Sequence, residues 1–150
     1  MRDASSPTPP RFFLAHRKAA DDAELDELVT ICSALLDQLS HGKPFDLVLG
    51  RTYYEARFKA CGSWDAWTAE VATGIDYLTR KPIFDAIMVP AAPVGAGTAA
   101  IVRRAREGNR PVYAFDVNGQ TGYAIVVGVR TVDAKDWQGG YRLVCKTALG

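Results

Sequence analysis

Two carboxylates, Asp65 and Asp76, flank the helical part of the chain's most aromatic region, GRTYYEARFKACGSWDAW and the residues that follow it. A helix running from Trp64 to about Thr79 would set them about three turns apart on one face, together with Ala69, Ala72 and Arg80. Paired carboxylates can bracket a ribose or serve as nucleophile and acid/base in glycoside cleavage. The plainer alternative is a pair of solvated side chains, with Asp76 matched to Arg80 four residues on. Glu55 and Glu70 are further carboxylates that the pattern does not rank. Arg51, Tyr53, Tyr54, Arg57, Trp64 and Trp67 surround Gly62, a composition suited to stacking on a base and holding a phosphate. Tyr53 and Trp64 are the expected stacking positions. Trp67 shares a face with Val71, Ile75 and Leu78 and is expected in the core. The same aromatic and basic group would suit a subunit interface.

Two more candidates lie in loops. His16 follows the aromatic run RFFLA and could bond a base or sugar or move a proton near neutral pH; the alternative is an exposed histidine beside Arg17 and Lys18. Pro90, Pro93, Gly95 and Gly97 make a turn-rich loop, and Thr98 is placed to cap a helix whose start could hold a phosphate or carboxylate. The glycines there match neither the P-loop nor the dinucleotide fingerprint. Cys61 has no histidine near it in sequence and reads as a packed thiol.

The elements that must position these residues follow from pattern. Ile83 to Val89 is an apolar run ended by Pro90, and a helix closing at Gly108 leads to a strand from Pro111 to Phe115. That is a βαβ unit, whose crossover is nearly always right-handed. Upstream, a strand at Arg11 to Ala15 precedes a long amphipathic helix opened by Asp21 and Asp22 and carrying Leu25, Leu28, Val29, Cys32, Leu35, Leu36 and Leu39. A strand at Phe45 to Leu49 and a short helix at Tyr53 to Lys59 come next. After a turn at Gly119 to Gly122, Tyr123 to Val132 and Tyr141 to Lys146 read as an antiparallel pair closing a sheet edge. The fold predicted is therefore α/β: a small Rossmann-like, doubly wound parallel sheet in order 2-1-3-4 with a C-terminal antiparallel strand pair. Its switch point lies between the first and third strands, so the loops at His16 and at Pro90 to Thr98 face a ligand.

Composition bounds the rest. The chain of 150 residues suits one domain, 11–150, behind a Ser/Thr/Pro-rich tail, 1–10, expected to be disordered. A net charge of +1 provides no electrostatic footprint for nucleic acid or an anionic membrane. No stretch approaches the ~20 apolar residues of a membrane span, and the N-terminus lacks the apolar segment of a signal peptide. Three scattered cysteines argue for a reducing, cytoplasmic setting, and two histidines cannot build a His-rich metal site. No metal or other cofactor is implied.

The FLA strand, an Asp before the third strand, the Gly-Thr helix start and GNRPVYAF together resemble the nucleoside 2-deoxyribosyltransferase-like group, relatives of the nucleotide-sugar-binding Rossmann-like domains. The resemblance spans roughly residues 11 to 117. It implies a sugar-contacting role for Asp76, a structural role for Asp85, and a homo-oligomer in which a neighbouring subunit can complete the site. It also carries two departures: the family's catalytic Glu falls on Ile101, and its loop Asp on Gly95. The usual glycosyl-enzyme ester is therefore absent. The function expected is binding of a nucleoside, nucleotide or nucleotide-sugar, with cleavage or exchange of its N-glycosidic bond through Asp76 and Asp65 if the chain is an enzyme. The alternatives are a non-catalytic module that binds a nucleotide signal, or sequesters one as a phage-type accessory protein would, and a structural oligomer.

Overall fold

The computed structural model describes residues 9–17, 20–91, 94–115, 123–131 and 141–147. The expected N-terminal tail falls outside them except for Pro9 and Pro10, as do the turn at Gly119 to Gly122 and the connection 132–140. The chain runs β1 (Arg11–Leu14), α1 (Asp22–Leu39), β2 (Asp46–Leu49), α2 (Gly50–Cys61), α3 (Trp64–Thr73), β3 (Ala86–Pro90), α4 (Ala96–Glu107), β4 (Val112–Phe115), β5 (Tyr123–Thr131) and β6 (Tyr141–Thr147). These described strands form one sheet in the order β2-β1-β3-β4-β5-β6. The first four are parallel, while β5 pairs antiparallel with β4 and β6 with β5. The doubly wound 2-1-3-4 order and the antiparallel closing pair are those expected from the sequence.

Side-chain alternation explains the layering. Successive strand residues face opposite sides, so Phe13 and Ala15, Ile87 and Val89, and Val112 and Ala114 pack under α2, α3 and α4. Leu14, Met88 and Phe115 point the other way, onto Leu28, Cys32, Leu35 and Leu36 of α1. Both faces are covered, as a parallel sheet requires. Burial pushes the Cys32 thiol up to about 12, so it serves as a small apolar side chain. Among the described residues no helix is long and apolar enough to cross a membrane.

Local chemistry sets the helix ends. Asp21 caps α1 by accepting a hydrogen bond from the Glu24 amide at 2.8 Å. Ser63 caps α3 in the same way through the Ala66 amide at 3.1 Å. Three expectations need correction. First, α2 is longer than Tyr53 to Lys59, because it starts directly at Gly50 after β2. Second, α3 does not reach Thr79. It stops at Thr73 because Gly74 takes a left-handed φ of 69° and donates its amide to the Glu70 carbonyl. Ile75 and Leu78, expected on the buried face, are consequently exposed, Ile75 in a β-bridge to Pro82 and Leu78 in the turn between them. Third, α4 is capped by Gly95, not by Thr98, which sits inside its first turn.

Two left-handed glycines separate backbone strain from collision. A Cβ at Gly74 would lie 2.4 Å from the Phe84 carbonyl oxygen, whereas one at Gly62, with φ of 89°, would meet nothing within 4 Å. Gly62→Ala is expected to lose about 1–2 kcal/mol, the cost of the left-handed backbone alone. Gly74→Ala should lose clearly more, because α3 or the Phe84 strand lead-in must shift. Urea denaturation midpoints of the two variants check this, and equal losses would contradict it.

Candidate functional site

The strand order reverses between β1 and β3, the switch point at which open α/β sheets have their ligand crevice. Three segments meet at this edge. Thr98, in the first turn of α4, donates its hydroxyl to the His16 carbonyl at 2.9 Å. The His16 ring Nε2 accepts the Arg51 amide at 3.0 Å. The ring proton therefore sits on Nδ1, which donates to the Arg17 carbonyl at 2.9 Å. Leu49, the N-cap of α2, offers no side-chain acceptor, so His16 supplies that cap from another loop. Gly50 permits the approach: a Cβ there would stand 3.1 Å from the Leu14 carbonyl oxygen and 3.3 Å from His16 Nε2. His16 thus stands where expected but has both ring nitrogens engaged inside the protein. Burial is the largest cause that lowers its pKa from the ordinary 6.5; the Arg17 carbonyl opposes this and the Arg51 charge adds to it.

The cations at this edge are also tied. Arg51 donates to the Ala20 carbonyl and faces Asp22 at 3.5 Å, fastening α2 to the start of α1. Arg17 grips Glu24 with two nitrogens, at 2.9 and 2.5 Å. Pro90 closes β3 opposite Phe115. The amides that open α4 after Gly95 have no side-chain cap, so that helix end presents its positive pole to the crevice.

The aromatic residues divide between shelf and core. Trp64 is 45% exposed and Tyr54 38%. The Trp64 ring reaches the first turn of α4, where a Cβ on Gly97 would lie 3.2 Å from its edge. A side chain at Gly97 would need the Trp64 ring to give by a few tenths of an ångström, so close packing, and not a turn, favours glycine here. One face of Trp64 lies near Trp67, with centroids 5.4 Å apart and planes inclined by 30°. Trp67 is buried, as its helical phase indicated. Tyr53 corrects the expectation. It is buried against Phe13 and Phe84 and cannot offer a stacking face, whereas its neighbour Tyr54 is accessible and packs on Phe58.

The two proposed catalytic carboxylates do not meet. Asp65 opens α3 with its side chain 84% exposed and pairs with Arg104 at 3.0 Å. Asp76 lies beyond the end of α3, at the amino end of β3, the length of that strand (about 16 Å) from the crevice. Its Oδ1 accepts the Leu78 and Thr79 amides at 2.8 and 2.9 Å and faces Arg57 at 3.3 Å. The Thr79 amide is the largest cause holding its carboxyl below the usual range.

Beside Asp76 stands a network that the sequence reading did not rank. Glu70 has a fully buried side chain. It accepts hydrogen bonds from the Tyr53 hydroxyl, from Arg57 Nη2 at 2.7 Å and Nε at 3.2 Å, and from the Tyr77 amide at 2.8 Å. Burial alone would raise its pKa, but these donors, Arg57 first, outweigh burial and hold it below the usual range. A shallow recess of about 280 Å³ adjoins the network, lined by Ala69, Glu70, Thr73, Ile75, Tyr77 and Arg80. It lies at the amino edge, away from the switch-point crevice. The signal for Glu70 was present: it falls three residues after Trp67 on the apolar face of α3, where a carboxylate must be partnered. Cys61 is buried and its thiol is raised, chiefly by burial, the opposite of what a nucleophile needs. Ile101, at the position of the resembled family's Glu, is a core residue.

No family model, curated protein or solved structure matches the chain.

Removing the cation from the network should be costly. Arg57→Leu leaves Glu70 charged and buried, and a loss of about 3–5 kcal/mol is expected at neutral pH. The folded-state pKa of wild-type Glu70 is depressed, so its contribution is present above the ordinary carboxylate pKa and fades as pH falls through the folded value. In the variant burial is no longer offset and Glu70 takes up a proton more readily. The difference between the two proteins should therefore shrink from about pH 7 to about pH 5. Chemical denaturation at both pH values measures it; a pH-independent difference would show that charge burial is not its cause.

Proposed function

We propose that the chain binds a nucleoside, nucleotide or nucleotide-sugar in the crevice between β1 and β3, without cleaving its glycosidic bond. The observation that carries this reading is the meeting of the His16 loop and the first turn of α4 at the strand-order reversal, under the accessible ring of Trp64. Open α/β sheets bind ligands at that place. A base on Trp64 would leave its sugar or phosphate toward the uncapped amides of α4. Free cysteines are in keeping with a reducing, cytoplasmic setting.

Binding without cleavage is favoured because no described carboxylate at this edge stands ready. Glu24 is held by Arg17, Asp22 faces Arg51, and Asp65 is exposed and paired with Arg104. Asp76, the resemblance's sugar-contacting position, serves the turn before β3. A second reading is favoured by the exposed Tyr54 and Trp64, which would suit a homo-oligomeric contact, since Trp and Tyr anchor interfaces.

One experiment separates these readings. The protein is incubated with nucleosides, nucleotides, nucleotide-sugars and NAD, with and without an acceptor base, and ligand and free base are followed by chromatography and mass spectrometry. Intact ligand should be retained, and Trp64→Ala should weaken its binding by roughly 5- to 100-fold, the worth of one base stack. Base release that disappears in Asp76→Asn would establish glycosidic chemistry instead. A Trp64→Ala chain that binds normally but shifts to a smaller species in light scattering would assign the shelf to a subunit contact.

A further inference from the structure

The His16 hydrogen bonds have directions that only one protonation state satisfies. Nδ1–H donates to the Arg17 carbonyl, and Nε2 must be bare to accept the Arg51 amide. We propose that His16 is a proton-operated latch on the carboxyl edge: neutral, it clips the amino end of α2 to the β1 loop, and protonated, it releases it.

The physical case rests on geometry. A proton on Nε2 would face the Arg51 N–H across 3.0 Å, two donors with no acceptor between them. Leu49 cannot take over the cap, because it has no side-chain acceptor. The ring has little room to retreat toward α2, where Gly50 already comes so close that a Cβ would stand 3.3 Å from Nε2. The Nδ1 bond survives protonation, so the ring stays with its own loop and the α2 end is what departs. The same loop carries the carbonyl that receives Thr98, so release bears on the rim that joins β1 to α4.

Each element packed around the ring contributes a charge or none. Arg51 on α2 is a cation that opposes protonation, whereas the Arg17 carbonyl in the β1 loop favours it and the Arg17 guanidinium is paired with Glu24. From α1, Glu24 favours protonation but is spent on Arg17, and Asp22 faces Arg51. From α4, Thr98 brings no charge. Lys18 lies outside the described residues. Burial and Arg51 lower the His16 pKa, so the unfolded chain takes up the proton first. The latch therefore stabilises the fold fully above the ordinary 6.5 and is lost as pH falls through the lower folded value.

The test does not depend on what the crevice binds. In the full ¹⁵N-labelled chain, the imidazole nitrogens report the tautomer, and amide exchange, corrected for its intrinsic pH dependence, reports the latch from about pH 7.5 to about pH 5. The expected result is an Nδ1-protonated ring at neutral pH. Protection of the Arg51 amide should then fall about tenfold in step with ring protonation, while Met88 and Val89 in β3 keep theirs. His16→Gln, whose side-chain oxygen accepts at any pH, should keep Arg51 protected throughout. An Nε2-protonated ring at neutral pH, protection that ignores the titration, or a ring that stays neutral until the whole chain unfolds would each overturn the latch. The wild-type titration decides even if the variant does not fold.

Discussion

One aromatic ring carries the packing on which the candidate site stands. Phe13, on the inner strand β1, meets Tyr53 of α2 at 6.1 Å, Trp67 of α3 at 6.2 Å and Phe84 before β3 at 5.4 Å, all edge to face. Each such pair adds about 0.5–1.5 kcal/mol to the burial of area. The consequence is positional. Phe13 holds the two helices of the β2–β3 crossover against one point of the sheet, while its neighbour Leu14 is buried under α1 on the other face. A strand buried on both faces cannot slip its register by one residue without exchanging its two sets of side chains. His16, two residues after Leu14, therefore emerges at a determined height and direction at the carboxyl edge.

Burying Tyr53 on Phe13 starts a sequence of obligations. Its hydroxyl is carried into the interior and needs an acceptor. Glu70 supplies it from the apolar face of α3, which brings a carboxylate out of water. The carboxylate needs a cation, and Arg57, one turn after Tyr53 on α2, provides it. The guanidinium reaches on to Asp76 and thereby fixes the turn that leads into β3. Residues that read as a stacking and catalytic set thus form a structural network. The aromatic and charged composition is visible in the sequence, but the side of the helix decides its use: Tyr53 turns inward, whereas Tyr54, about 100° around the helix, turns out.

The fold was legible because it rests on periodicity. The apolar runs at Ile83 to Val89 and Pro111 to Phe115, the heptad-like leucines of α1 and the closing Gly108 all imposed their elements, and the 2-1-3-4 order followed from the crossovers. The candidate site was legible in location but not in roles. His16 and the Gly95 to Thr98 stretch do meet at the switch point, yet the roles of His16 and Thr98 are set by partners distant in sequence, Arg51 for one and His16 for the other, which no local pattern announces. Gly97 read as a turn former, but its lack of a side chain answers to Trp64. The failure at Asp65 and Asp76 has a local cause. A helix drawn through Gly74 keeps them on one face, though already about three turns apart; the left-handed conformation of that glycine ends the helix and takes Asp76 off that face into the turn before β3.

The carboxyl edge that remains is better equipped to hold a ligand than to transform one. General acid–base work needs a titratable atom within reach of the reacting group. At this edge the His16 nitrogens are spent on Arg17 and Arg51, and the Glu24 carboxylate is spent on Arg17. The resembled family's nucleophile position is filled by Ile101, an apolar core contact under α4. Besides the exposed carboxylates of Asp22 and Asp65, each paired with an arginine, this edge offers the Trp64 indole face and the uncapped start of α4, groups that recognise shape and negative charge and transfer no protons. The same hydrogen bonds that remove His16 from catalysis make the rim sensitive to its protonation, because a neutral imidazole is the only form that joins β1 to α2. Under the proposed reading, ligand binding at this edge and the integrity of its rim would be coupled through one proton.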